Sequence, residues 1–181
     1  RRLGLQTRTI GLDTTLAASL HSLDVVIVGR RAPSLRGNLI SHRPELERFA
    51  SGGGHLIILA QDAVVWNEKP LVDGIRLAPS FSLDVDAPLD VDTTHALLSR
   101  PNRITSEDWD GWLYRRGYHT VSINDPNEFS VPVSTGKMRS PLVLSRSVGK
   151  GNITYVDLAL SPQWMNIHPG AFRLLANLLS Y

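Results

Sequence analysis

Cysteine is absent from all 181 residues, which excludes disulfides, thiolate metal sites and a thiol nucleophile together. No apolar run approaches the roughly 20 residues a membrane helix needs, and no signal-like apolar segment opens the chain. Basic side chains never run beyond the pairs Arg1-Arg2, Arg30-Arg31 and Arg115-Arg116, and 19 Lys and Arg stand against 17 Asp and Glu. That pattern lacks the footprint of a nucleic-acid binder. The six histidines, His21, His42, His55, His95, His119 and His168, show no H-x-H, H-x-x-H or H-E-x-x-H spacing. Neither a metal nor another cofactor is therefore expected. Gly149-Lys150-Gly151 lacks the spacing of a phosphate-binding loop and reads as a hairpin turn. The chain begins at Arg1 without Met, and the expectation is a fragment of a longer chain, with the compartment left open.

What is present describes one globular domain over residues 1–181. Hydrophobic residues make up 42% and charged residues 20%, an ordinary balance for a chain of single-core size. Val25-Val26-Ile27-Val28 and Leu56-Ile57-Ile58-Leu59 are apolar without a polar break, the habit of strands buried on both faces of a parallel sheet. Between them residues 44–50, with Leu46 and Phe49 three apart, read as a crossover helix, giving a β-α-β unit. The expectation is that these two strands are adjacent, central and parallel.

Asp13-Thr14-Thr15 offers caps for a short helix through Leu16, Leu20 and Leu23. Short extended pieces are expected around residues 75–77 and 82–85. Thr105 begins a helix with Asp108 in the place of a capping-box Glu. Residues 142–147 and 153–158 form a hairpin about Gly149-Lys150-Gly151. A closing helix over 170–179 puts Phe172, Leu175, Leu178 and Leu179 on one face, with Phe172, Leu175 and Leu179 expected to be buried.

In parallel sheets the ligand site lies outside the carboxyl ends of the strands. Arg30, Arg31, Gln61 and Asp62 directly follow the two strands, so a common crevice should collect Arg30 or Arg31 together with Gln61 and Asp62. An arginine there suits a carboxylate, phosphate or sugar hydroxyl or forms a structural salt bridge. Gln61 donates to a ligand or stabilises a buried turn. Asp62 serves as a carboxylate nucleophile or base, or caps the next helix. Trp109 and Trp112 lie in an aromatic segment interleaved with Asp108, Asp110, Arg115 and Arg116. Such a cluster serves as a sugar-stacking wall, as core packing or as a contact for another domain.

The blocks Asp24-Val25-Val26-Ile27-Val28-Gly29-Arg30-Arg31-Ala32, Gly53-Gly54-His55-Leu56-Ile57, Pro101-Asn102-Arg103-Ile104-Thr105, Asp108-Trp109-Asp110-Gly111-Trp112, Gly149-Lys150-Gly151 and the closing run from Pro169 to Leu179 together resemble a known family. It is the class I glutamine amidotransferase-like domain in the C-terminal part of bacterial PIG-L (LmbE-like) deacetylases. The resemblance runs from about residue 10 to the end. It implies a flavodoxin-like three-layer α/β/α sandwich with a mainly parallel central sheet. Catalytic members of the wider superfamily place a Cys on the turn after the strand matching residues 56–59 and a His-x-Glu pair after the strand matching 153–158. Here those turns read Ala60-Gln61-Asp62 and Ala159-Leu160-Ser161-Pro162-Gln163. The zinc-dependent N-acetyl-sugar deacetylase activity belongs to a different, N-terminal domain.

The first expectation is therefore a catalytically silent accessory domain that binds carbohydrate or packs against a deacetylase domain of the same parent chain. The alternatives are an independent hydrolase using Asp62 with a histidine brought close by folding, and a structural or dimerising module. No nucleic-acid partner is expected, and oligomeric state is open.

Overall fold

The computed structural model describes residues 6–12, 16–80, 87–136 and 139–181. The expected caps at Asp13-Thr14-Thr15 and the extended piece at 82–85 lie outside the described residues. Helix α1, Leu16–Leu20, leads into strand β1, Val25–Val28. A short helix α2, Ala32–Leu35, a 3-10 turn at Gly37–His42 and helix α3, Arg43–Ser51, carry the chain back to strand β2, His55–Leu59. Helix α4 spans Ala63–Glu68, strand β3 Ile75–Pro79, strand β4 Leu89–Val91 and helix α5 Ala96–Ser99. Strands β5, β6, β7 and β8 are His119–Ile123, Ser130–Thr135, Pro141–Val148 and Gly151–Val156. Helices α6, Leu160–Met165, and α7, Pro169–Ser180, close the chain.

The main sheet has the order β1-β2-β8-β7-β6-β4, and β3 pairs with β5 separately. This corrects the expectation of a flavodoxin-like sandwich with a mainly parallel sheet. Only β1/β2 and β2/β8 are parallel, whereas β8/β7, β7/β6, β6/β4 and β3/β5 are antiparallel. The sheet is mixed and mostly antiparallel, with helix and strand in comparable amounts. The reason is the connections: β7 and β8 are joined across Gly149-Lys150, and a tight turn can only reverse a chain, while parallel neighbours need a long crossover. The chain carries two such crossovers, one through α3 from β1 to β2 and one through residues 60–150 from β2 to β8.

Strand β1 also departs from expectation. It lies beside β2 and parallel to it, as expected, with Val25 opposite His55 through Val28 opposite Ile58, but it forms the sheet edge rather than a central strand. Only Val28 of its four residues is buried, and Ile27 is 47% exposed. An apolar run four residues long satisfies an edge strand covered on one side as readily as a central one.

Side chains of β2 alternate between two cores, one on each face of the sheet. Leu56 and Ile58 join Leu46, Ala50, Trp66, Ile153 and Tyr155. Ile57 joins Val143, Val156, Trp109, Trp112, Leu174 and Leu178 on the other face. In α7 the deeply buried residues are Ala171, Leu174, Asn177 and Leu178, while Phe172, Leu175 and Leu179 are half-buried. The expected face is thus rotated. The cause is Asn177, whose Oδ1 accepts from the Asn102 N–H at 2.8 Å and whose Nδ2 donates to the carbonyls of Leu97 and Asn102 at 2.9 and 2.7 Å. A buried amide with every partner in place fixes the helix rotation, and hydrophobic spacing does not show it.

Candidate functional site at the carboxyl edge

Strands β1, β2 and β8 end side by side, so the residues following Val28, Leu59 and Val156 meet at one edge. After β2, Asp62 takes the N-cap of α4, accepting from the backbone N–H groups of Val64 and Val65 at 3.1 and 3.2 Å. Those are the donors a helix start leaves without partners. Arg31 follows β1, donates its N–H to the Ala60 carbonyl at 3.1 Å and places its guanidinium 3.9 Å from the Asp62 carboxylate. It does so in the left-handed region, at φ 56, where a side chain is strained.

Between them Gln61 is almost wholly buried. Its Nε2 donates to the Gly29 carbonyl at 2.9 Å and to that of Leu59, stitching the end of β1 to the end of β2, while Oε1 has no partner among the described residues. Arg30 turns the other way and lies over the Tyr118 ring, 3.9 Å from its centre, within cation–π range.

The third strand contributes Asp157, which is fully buried. Its carboxylate accepts from the His119 N–H and faces His119 Nδ1, each at 2.8 Å, and the Tyr155 hydroxyl donates to it at 3.4 Å. Burial, and then the neighbouring Asp157 charge, push the Tyr155 phenol well above its ordinary range. Gly117 makes room for this carboxylate, since a Cβ there would come within 2.3 Å of Asp157 Oδ2. Segment 116–118 is bonded alongside: the Tyr118 N–H donates to the Asp157 carbonyl, and the Ala159 N–H to that of Arg116.

The edge brings Arg30, Arg31, Gln61 and Asp62 together, but Gln61 and Asp62 are engaged by neighbouring backbone, Arg31 faces Asp62 and Arg30 lies on Tyr118. Among the described residues the hydrogen-bond and ion-pair partners of Asp62 are the Val64 and Val65 N–H groups and Arg31, with no histidine or second carboxylate. Trp109 and Trp112 are 7% and 3% exposed; they pack on each other at 4.8 Å inside the second core. Of the readings open for the two rings, their burial favours core packing over a sugar-stacking wall.

The sequence reading overlooked Asp157, His119 and Tyr155. One signal was available: Asp157 is the first charged residue after the apolar run of β8, as Asp62 is after β2. It was hidden by carrying the strand on to Leu158. The Asp157–His119 pair has the shape of a base and its orienting carboxylate, yet His119 Nε2 meets no partner among the described residues. No group of three or more His, Asp or Glu among those residues could hold a metal. No helix among them is long and apolar enough to cross a membrane.

Two cavities among the described residues are lined by other side chains. The larger cavity, about 650 Å³, opens at the amino ends of β2 and β8 between the Gly52-Gly53-Gly54 and Gly149-Lys150-Gly151 turns. A second, about 470 Å³, lies at the start of α7 beside Glu107, Asp110 and His168.

No protein-family model matches this sequence, and no curated protein sequence matches it. Its fold is similar to that of the cytoplasmic protein STM3548 from Salmonella typhimurium, with 15% identity over 91% of this chain and 73% of that one and a TM-score of 0.60. The mmIFT52 N-terminal domain is similar at 12% identity, 99% and 87% coverage and a TM-score of 0.59. Cytoplasmic protein STM1381 from Salmonella typhimurium LT2 follows at 13%, 93% and 76%, with a TM-score of 0.56. At such identities these likenesses speak for the fold alone, and none of them points to an amidotransferase or a deacetylase.

Proposed function

We propose that this chain is a catalytically silent accessory domain, of the amidotransferase-like kind attached to LmbE-like deacetylases, that works by packing against an enzymatic partner domain. The observation that carries the reading is the turn after β2. Where a nucleophile would stand, Ala60 offers no chemistry, Gln61 is buried with its amide stitching two strand ends, and Asp62 is committed to capping α4 and to Arg31. A group already accepting two backbone N–H bonds and facing a guanidinium is a poor nucleophile.

Of the two branches, packing is favoured over carbohydrate binding. The two rings that were to stack on a sugar, Trp109 and Trp112, are both buried. The expected results are ammonia release from glutamine no faster than in buffer, and unchanged tryptophan fluorescence on addition of N-acetylglucosamine oligosaccharides. Glutamine hydrolysis lost on Asp62→Ala would overturn the silent reading. Co-expression with an LmbE-like deacetylase domain should yield a co-purifying complex, and its absence would remove the deacetylase from the proposal.

A further inference from the structure

The carboxyl edge carries apolar side chains that a free surface does not need. Leu113 and Tyr114 are 45% and 46% exposed, and Leu35 and Val64, at 73% and 77%, project from the short helices that follow β1 and β2. Single exposed apolar residues are unremarkable, whereas several on one edge mark an interaction site.

Two features say that this surface is built rather than incidental. The first is that Leu113 is clamped from beneath by Gln163, which is fully buried. Its Oε1 accepts from the Leu113 N–H at 3.0 Å, and its Nε2 donates to the Leu113 carbonyl and, at 3.1 Å, to that of Ala159. A buried amide is thus spent on holding a surface loop in one shape. The second is that Tyr114 sits at φ 57 and Arg31 at φ 56. Non-glycine residues in that region cost stability and persist where the surroundings hold them, commonly at sites of function.

The charge of the edge selects the occupant. Arg30 and Arg31 are exposed at this edge, where Asp157 is buried and Asp62 pairs with Arg31. Resting on the reading of a packing domain, we propose that the carboxyl edge docks a polypeptide segment of its partner in which apolar anchors are flanked by Asp or Glu. Leucine and tyrosine supply the desolvated contact, and arginine forks match carboxylates bidentately. A phosphate polymer fits less well, because the apolar side chains at the centre would gain nothing from one.

The test uses the whole chain, labelled with 15N, and a synthetic peptide of about 15 residues with Leu and Tyr anchors among Glu, a length typical of groove-bound segments. A peptide with Gln in place of every Glu and a single-stranded oligodeoxynucleotide of equal length serve as controls. The Glu peptide should shift the backbone amides of residues 30–35, 62–64 and 113–118 and bind roughly tenfold tighter than the Gln peptide, as expected when complementary charge is removed from an interface rim. Arg30→Glu and Tyr114→Asp should each weaken that binding, with thermal melts confirming that both variants remain folded. Equal binding of Glu and Gln peptides overturns the acidic partner. Tighter binding of the oligonucleotide overturns it in favour of a phosphate polymer. Shifts elsewhere, or none, overturn the docking edge. None of these results bears on the silent accessory reading, which stands or falls on glutamine hydrolysis and on co-purification with a deacetylase domain.

Discussion

The two ends of the parallel strands solve the same backbone problem in opposite ways. At the amino ends, the turns that need positive φ place glycine there, Gly53 at φ 121 and Gly149 at φ 59. At the carboxyl ends, positive φ falls on Arg31 and Tyr114. Glycine enters that region freely, while other residues are strained by about 1–2 kcal/mol. The amino end is therefore relaxed and concave, and the carboxyl end gives up stability to present side chains. The larger of the two cavities described lies beside the glycine turns of the amino end.

The sharpest way to break this contrast is Asp157→Ala. It leaves the His119 N–H, the His119 ring and the Tyr155 hydroxyl facing a buried space with no acceptor. Removing one partner from a buried charged network costs about 3–5 kcal/mol, and urea denaturation should record a loss of that order. Asp157→Asn keeps one oxygen and should lose about 1–3 kcal/mol. A change below about 1 kcal/mol for the alanine variant would show that the network does not hold β5 to β8.

Next in size is the response to pH, which differs between the ends. Burial pushes His55, at the amino end, down to about 4; its Nε2 lies 2.8 Å from Thr154 Oγ1, and its ring meets Tyr181 edge-on at 5.6 Å. The unfolded chain, with an ordinary histidine near 6.5, then binds the extra proton first as pH falls. Stability is complete above about pH 6.5 and is lost on acidification toward about pH 4, by up to about 3 kcal/mol. His55→Gln should flatten that slope. Tyr155, at the carboxyl end, is pushed the other way. The unfolded phenol ionises near pH 10 while the folded one stays neutral, so stability falls as pH rises beyond that point, and Tyr155→Phe should remove the loss. Denaturant midpoints across pH for the two variants would separate the ends, and an unchanged acid slope in His55→Gln would refute the amino-end assignment.

Much of this was legible in the chain. The β1-α3-β2 crossover, the β7–β8 hairpin and the closing helix follow from apolar runs and turn residues, and Asp62 and Arg31 were placed at one edge by position alone. The errors share one cause: sequence shows how apolar a segment is but not what pairs with it. A run such as Val25–Val28 fits an edge strand as well as a central one. The direction of the sheet beyond β8 depends on connections, and the rotation of α7 depends on Asn177 finding partners near Asn102, 75 residues away in the chain. Trp109 and Trp112 were ambiguous for the same reason, since a ring that stacks on sugar and a ring that fills a core are the same residue. His119 and Asp157, 38 residues apart, could be joined only by the fold.

A smaller effect tests whether Asp62 is structural. Asp62→Ala should lower stability by about 1 kcal/mol, the usual cost of an N-cap, with the loss localised to α4. Faster hydrogen exchange at Val64 and Val65 alone would be its signature, and undisturbed exchange there would argue against the cap.

The smallest effect bears most directly on the contrast between the ends, because it asks what Arg31 is for. Its guanidinium is 60% exposed and 3.9 Å from Asp62, and an exposed pair of this kind is worth about 0–1 kcal/mol. Arg31→Ala removes the pair but keeps a Cβ at φ 56, so it should cost up to about 1 kcal/mol. Arg31→Gly removes the pair and the strain together. The relief of about 1–2 kcal/mol is set against the greater freedom of glycine in the unfolded chain, about 0.5–1 kcal/mol, and against the lost pair. The terms nearly cancel, and Arg31→Gly should melt within about 0.5 kcal/mol of the parent and above Arg31→Ala. That order would mean that the arginine adds little to stability and is kept at the edge for what it presents, as glycine at Gly53 and Gly149 is kept for the turn. Arg31→Gly falling below Arg31→Ala would mean the opposite, that the left-handed turn is no burden and the two ends do not differ.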